Sequence, residues 1–340
     1  MSFILLGILN SQASGGGLTY WLSTLGGASG DQGQSVAIDS DNNLYVLGFQ
    51  ASTGAGSNDF LLAKYNSSGT VQWQRILGGA SNDRGYSVAI DSSDNVCVFG
   101  YTSSTGAGAQ DFLLAKYNSS GTIQWQRILG GASNDIGYSV AIDSSDNVYV
   151  LGYTTSAGAG SNDFLLAKYN SSGTIQWQRI LGGAGSEEGN SVAIDSSDNV
   201  YVLGRTTSTG AGQDDFLIAK YNSSGTIQWQ RVLGGASGDT GYSVAIDSSD
   251  NVCVFGHTAS TGAGSNDFLL AKLPNDGSLT GTYVLDGVDM IYATSTLTAA
   301  TSTLTAATSS LTAATSTLTA ATSTLTDASA SLTEHFVGIG

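Results

Sequence analysis

Short apolar runs, separated by clusters of Asp, Asn, Ser and Gly, fill the chain from residue 19 to residue 287. In one stretch they read Ser87-Val88-Ala89-Ile90-Asp91, then Val96 to Tyr101, Asp111 to Tyr117, and Thr122 to Leu129. Runs of this length, rich in Val, Ile, Phe, Tyr and Trp and bounded by turn formers, predict four strands. The same runs return at a fixed step, because Ser-Val-Ala-Ile-Asp starts at Ser35, Ser87, Ser139, Ser191 and Ser243, 52 residues apart each time (87 − 35 = 52). A fixed period decides architecture before local propensity does. Four strands in about fifty residues is the size of one propeller blade, whereas the coils of a β-solenoid are usually shorter. The pattern predicts an all-β fold: a closed five-bladed β-propeller of four-stranded blades over 19–287.

Closure raises a question of supply. Thr19 to Gly27 reads like a fourth strand, with Trp21 and Leu25 spaced as Trp73 and Leu77 are, yet it precedes the first complete unit. The last unit has a weaker fourth strand, Leu279 to Leu285, with Gly281 in the tryptophan position. Six fourth strands compete for five places. The expectation is that the N-terminal one completes the last blade and ties the ring, while the C-terminal one leads out or adds an edge.

The period changes after 287. Leucines fall at 297, 304, 311, 318, 325 and 332, with alanines three residues later at Ala300, Ala307, Ala314, Ala321 and Ala328. Leu and Ala at two core positions of a heptad predict an α-helical coiled coil over 288–340. Its Ser- and Thr-rich outer positions are mediocre helix formers, so such a helix needs partners, and a homotrimer through 293–333 is expected. A disordered or glycosylated hydroxyl-rich stalk is the other reading.

The repeat resembles the seven-bladed β-propeller repeat family often called SBBP. The likeness rests on Leu77-Gly78-Gly79, the acidic turn Asn82-Asp83, the segment Asp143 to Val150, and Asp163-Phe164 with Lys168. This chain departs from the family in carrying Asp94, Asp146, Asp198 or Asp250 where a turn glycine is common, and in having five units rather than seven. The resemblance implies architecture and little chemistry, so function has to come from a site.

That site is sought where the units disagree. The turns between strands one and two and between strands three and four are nearly invariant: Asp91-Ser92-Ser93-Asp94-Asn95 and Asn118-Ser119-Ser120-Gly121 recur with little change. In an antiparallel blade the remaining turns emerge at the opposite face, and there the units diverge. Entering strand one they carry Gln32, Arg84, Ile136, Glu188 and Thr240, then Gln34, Tyr86, Tyr138, Asn190 and Tyr242. Leaving strand two they carry Phe49, Tyr101, Tyr153, Arg205 and His257. Longer loops tolerate change for no functional reason. An aromatic and polar face of this kind also suits carbohydrate. The candidate ligand-binding residues are therefore Phe49, Arg84, Tyr86, Tyr101, Tyr138, Tyr153, Arg205, Tyr242 and His257.

Charge narrows the partners. With 27 acidic against 11 basic residues, the formal net charge of −16 repels phosphate backbones and anionic membranes, so nucleic acid and membrane insertion are not expected. The repeated Asp-x-x-x-x-Lys of strand three, as in Asp111 and Lys116, is structural by its five-fold recurrence, since catalysis needs one asymmetric constellation. Asp39 to Asn43 lacks the length and closing glutamate of a calcium loop, so a hairpin turn with Asp or Asn at positive φ is expected there. No metal, cofactor or enzymatic activity is expected. Cys97 and Cys253 stand where other units have Tyr45, Tyr149 and Tyr201, three units apart, and are not expected to pair.

The opening Phe3 to Leu9 is apolar but short and without a basic flank for a secretory signal, which leaves a docking plug over 1–18 with a joint at Gly15-Gly16-Gly17. Residues 3–16 resemble the start of virion proteins from marine tailed bacteriophages. That implies docking through residues 1–14 onto other virion proteins, at the exterior of a tail or capsid. The whole then reads as a non-enzymatic attachment protein of the tail-fibre type, contacting a host-surface glycan or protein with one propeller face. A structural virion component and a secreted, extracellular bacterial propeller are the alternatives.

Overall fold

A computed structural model describes residues 23–26, 28–51, 57–106, 108–262 and 264–294, and three short strands at 312–314, 319–321 and 327–328. The 52-residue unit is one antiparallel sheet whose strands lie in chain order. In the second unit these are Asp83–Ile90, Val96–Thr102, Asp111–Tyr117 and Ile123–Gly130. The other first strands are Asp31–Ile38, Asp135–Ile142, Glu187–Ile194 and Asp239–Ile246. The middle strands read as unbroken apolar runs because both faces of the sheet are covered, and every residue of Asp111–Tyr117 is buried.

First strands start four residues before the predicted Ser87. The glycine-containing entry joins the ladder through a β-bulge: Gly85 faces Gly100 and Ser87 faces Phe99, leaving Tyr86 as the extra residue. The second-strand glycine is needed here, since a Cβ on Gly100 would lie 1.9 Å from the Arg84 carbonyl oxygen.

The core lies between blades. Leu47, Phe60, Leu62 and Leu77 of blade 1 pack against Val88, Val98, Leu113 and Ile128 of blade 2. Equivalent clusters fill the next three junctions. Polar groups repeat with them. Ser35 Oγ accepts from the Val88 amide at 3.2 Å, Ser40 Oγ donates to Asp94 at 2.7 Å, and Arg75 Nε donates to the Gly121 carbonyl at 2.6 Å. The same three bonds link blades 2 and 3 at 3.1, 2.8 and 2.6 Å.

The turn after strand one is the Asp/Asn turn that the sequence predicts. Asn42, Asp94, Asp146, Asp198 and Asp250 sit at φ of 59° to 62°. Asp143 Oδ1 accepts from the amides of Ser145 and Asn147, and Lys168 pairs with its other oxygen at 3.3 Å. Burial pushes the Asp143 carboxyl up, but hydrogen bonds from Asn147 and its neighbours outweigh that and hold it below the usual range. Cys97 and Cys253 are unpaired thiols. Burial pushes the Cys97 thiol up to about 12.

Three expectations fail. First, the ring is not closed by a five-blade circuit. Phe268 and Leu270 of blade 5 are 86% and 72% exposed, whereas their counterparts Phe112 and Leu114 are each 1% exposed. Among the described residues neither candidate strand completes blade 5, whose sheet has three strands, Asp239–Ile246, Val252–Thr258 and Asp267–Leu273. Instead Thr24–Leu25 stands beside blade 1, with Leu25 against Leu61 and Ile76.

Second, Gly281–Leu285 turns back in a hairpin with Val288–Thr294, which extends the sheet of blade 4 and straddles the expected boundary at 287. The reason is visible in the residues: Met290 and Tyr292 are buried in the cluster between blades 4 and 5, a task Gly281 could not perform.

Third, the described residues of the tail are strands and not a coiled coil. Thr312–Ala314 pairs with Ile128 to Gly130, Thr319–Ala321 with Ile76 to Gly78 in the same register, and Asp327–Ala328 with Thr24 and Leu25. Thr is a better strand than helix former, and open sheet edges offer the unpaired backbone groups a helix would have to satisfy internally. The rest of the tail and the plug at 1–18 lie outside the described residues.

The turn aspartate is a buried charge held by a lysine, so deleting it leaves Lys168 uncompensated. Asp143→Ala should cost about 3 kcal/mol in urea unfolding. Asp247→Ala, whose partner Lys272 has a side chain 62% exposed, should cost far less.

Candidate functional site

The varied positions gather at one end of the blades. Isolated bridges Asn58 to Asn82, Gln110 to Asn134 and Asn162 to Ser186 tie the strand-two-to-three loops of blades 1, 2 and 3 to the entry of the next blade. The residue entering strand one faces the one leaving strand two: Gln32 opposite Phe49, Arg84 opposite Tyr101, Ile136 opposite Tyr153, Glu188 opposite Arg205, and Thr240 opposite His257. Between them the bulge carries Gln34, Tyr86, Tyr138, Asn190 or Tyr242. A bulge residue is unpaired, so it can change without disturbing the ladder.

These side chains touch one another across blades. Tyr86 has its ring centroid 6.5 Å from Phe49, 6.0 Å from Tyr101 and 5.4 Å from Tyr138. Tyr138 lies 6.0 Å from Tyr153. Arg84 covers Phe49, its guanidinium carbon 4.6 Å from the ring centroid. In blade 5, the Tyr242 and His257 rings meet at a tilt, their centroids 5.4 Å apart. Burial pushes the hydroxyls of Tyr101, Tyr138 and Tyr153 up, so they stay protonated as hydrogen-bond donors.

Between the two aromatic groups the band is ionic. Arg205 reaches Glu188 at 2.6 Å and Asp214 at 2.9 Å, and Asn162 donates to Glu188 at 3.0 Å. The hydrogen bond to Glu188 raises the already high pKa of Arg205 further. Asn190, in the bulge, donates across the junction to the Gly241 carbonyl. Glu188 and Asp214 were not among the candidates singled out from sequence. The signal was there, since the unit that gains Arg205 also gains both acids, where other units have Arg84, Ile136 or Thr240 and Asn58, Asn162 or Asn266.

Of the nine candidates, Tyr242 is the most open at 51%, while Phe49 and Tyr101 are buried. Those two support the Tyr86 ring from below and do not present themselves to a ligand. Arg84, Tyr86, Tyr138, Tyr153, Arg205 and His257 are half-buried. At the opposite, invariant end a hollow of about 540 Å³ is lined by Lys64, Trp73, Arg75 and Ser119 among others. Its polar groups are already engaged: Trp73 Nε1 donates to the Ser119 carbonyl, Arg75 to Gly121, and Lys64 pairs with Asp39. That hollow is part of the junction.

Residues 72–106, 124–158 and 176–210 match the family described as Beta-propeller repeat (SBBP), and residues 144–175 and 196–227 match the one described as a domain of unknown function (DUF5122) beta-propeller. An uncharacterized WD repeat-containing protein of Acanthamoeba polyphaga mimivirus is 24% identical over 67% of this chain and 18% of its own length. A regulatory protein, FlaEY, of Caulobacter vibrioides is 27% identical over 47% of this chain and 20% of its own length. The chain thus spans about a fifth of these relatives. A protein of unknown function from Bacteroides caccae shares 10% identity at a TM-score of 0.33, covering 70% of this chain and 78% of that one. A tail fibre of a Staphylococcus aureus phage shares 11% at 0.27, covering 75% and 53%. The chain carries β-propeller repeats.

Behind the band, the aspartates that open strand three are buried. Asp163 Oδ2 accepts from the Gly160 amide and Asp215 Oδ2 from Gly212, while their Oδ1 atoms make no hydrogen bond. Burial pushes both carboxyls up to about 6, with Glu187 and Asp239 adding like charge. The folded protein therefore holds these protons more tightly than the unfolded chain. Stability should fall as pH rises from about 4 to about 6, by up to roughly 3 kcal/mol per carboxylate, and level off above. Urea midpoints across this window should show the fall, and Asp163→Asn with Asp215→Asn should flatten it.

Proposed function

We propose that the chain is a non-enzymatic attachment protein whose varied propeller end binds a surface ligand of glycan type. One observation carries this reading: residues that differ between otherwise near-identical units form a continuous band, aromatic at Tyr86, Tyr138 and Tyr153, ionic at Arg205, and aromatic again at Tyr242 and His257. Aromatic rings with protonated hydroxyls, beside a fixed arginine, match the apolar faces and hydroxyl edges of sugars. The acids next to Arg205 hold it in place and make the band a positioning surface for polar groups. Its use on a virion exterior, docked through residues 1–14, rests on the N-terminal resemblance.

Binding to an array of bacterial surface polysaccharides tests this. Tyr242→Ala and Tyr153→Ala should each weaken binding about tenfold or more, as loss of an aromatic anchor does. Ser119→Ala, on the invariant end, should leave it unchanged. Equal binding by all three variants and the parent would sink the reading.

A further inference from the structure

We propose that copies of this chain join end to end, blade 5 of one against blade 1 of the next, through a junction built like the four inside each chain. The two free ends are complementary by repetition. Blade 5 exposes Phe255, Phe268 and Leu270, whose counterparts Phe99, Phe112 and Leu114 are buried against blade 3. Blade 1 exposes Val36 and Ile38, whose counterparts in blade 2 are Val88, buried against blade 1, and Ile90, partly buried and packed on the same cluster. One end thus presents what every inner blade offers forwards, and the other what every inner blade receives.

The strand complement agrees. Among the described residues blade 5 has no fourth strand, so Asp267–Leu273 is an open edge on one side. At the other end, Leu25 packs on Leu61 and Ile76, just as Leu77 shares a cluster with the equivalent Leu113 and Ile128. Thr24–Leu25 therefore occupies the place of the fourth strand of a blade that would precede blade 1. One of its edges is taken by Asp327–Ala328, as Thr319–Ala321 takes the edge of the fourth strand in blade 1. Its other edge faces where a third strand would come. Docking blade 5 of a second copy there completes a four-stranded blade. The register follows from Phe60 opposite Leu77 and sets Phe268 opposite Leu25.

Polar groups complete the match. Ser243 Oγ stands where Ser35 and Ser191 accept the next blade's valine amide, and the Val36 amide is the corresponding donor. Ser248 takes the place of Ser40 and Ser196, with Asn42 in the place of Asp94 as its acceptor. The partner is a second copy because within one chain the four like junctions leave these ends apart. A head-to-tail contact of this kind gives a larger ring or an open filament.

Sedimentation velocity on the full chain, from about 1 to about 100 µM, tests this. The expected result is species that grow with concentration and that Phe268→Asp with Leu270→Asp reduces to monomer. The double variant should keep the parent's circular dichroism, because both side chains are already exposed. In a Cys253→Ser background, oxidising a mixture of Leu25→Cys chains and Phe268→Cys chains should give a disulfide-linked heterodimer. A monomer throughout the range, or assemblies that survive the double aspartate variant, would overturn the proposal. So would a disulfide forming within a monomeric chain carrying both cysteines, since that would mean the ends meet in one molecule.

Discussion

The packing of one blade's apolar face on the next is the constraint from which the rest follows. A single 52-residue sheet has two apolar faces and nothing within itself to cover either, so no unit is stable alone. Each junction buries Leu, Phe and Val side chains, and pins them at both ends with the serine, arginine and turn-aspartate bonds that cross it. The pinned positions are the ones that scarcely vary. Ser35 and its repeats cannot change without orphaning a valine amide, and Asp94 and its repeats serve both their own turn and the preceding blade's serine.

Most variation falls on positions that neither the sheet ladder nor the apolar clusters use, Cys97 in the place of Tyr45, Tyr149 and Tyr201 being an exception inside a cluster. The bulge achieves this for Tyr86, Tyr138, Asn190 and Tyr242, because a residue outside the ladder forfeits no backbone bond whatever its side chain. The ends of strand two do the same for Tyr153, Arg205 and His257. Stability and most of the variation therefore sit on separate residues of one short unit. Blade 4 shows how far this can go: Glu188, Arg205 and Asp214 occur together in that unit and pair with one another while the neighbouring junctions keep their form.

Much of this was legible in the sequence, and the failures have a common cause. Period, strand content, positive-φ turns and the gathering of Tyr86, Tyr101, Tyr138 and Tyr153 at one end are local or strictly repeated, and the structure has them. The early start of the first strand was missed because Gly85-Tyr86 reads as a turn, and only the paired partner Gly100 shows it to be a bulge. Closure was misjudged because it depends on how the two end blades meet, which a repeat count does not carry, and Phe268 and Leu270 of blade 5 stand exposed. The described strands of the tail went unforeseen for a related reason. A seven-residue step suits a helical seam, but it also sets Thr312–Ala314 and Thr319–Ala321 on the outer edges of blades 2 and 1 in one register.

An array whose blade 5 ends on a bare junction face carries a hazard, because exposed Phe268 and Leu270 beside an open strand edge invite indiscriminate pairing. The chain's acidity bears on this. A net charge of −16 sets a long-range repulsion between copies that acts in every orientation, while the junction's attraction is short-ranged and needs the correct register. Misaligned encounters meet the repulsion without the reward. Aligned ones recover the apolar contact, the serine bonds and the missing strand together. This acidity thus favours the one contact that repeats the chain's own interior over the many that do not.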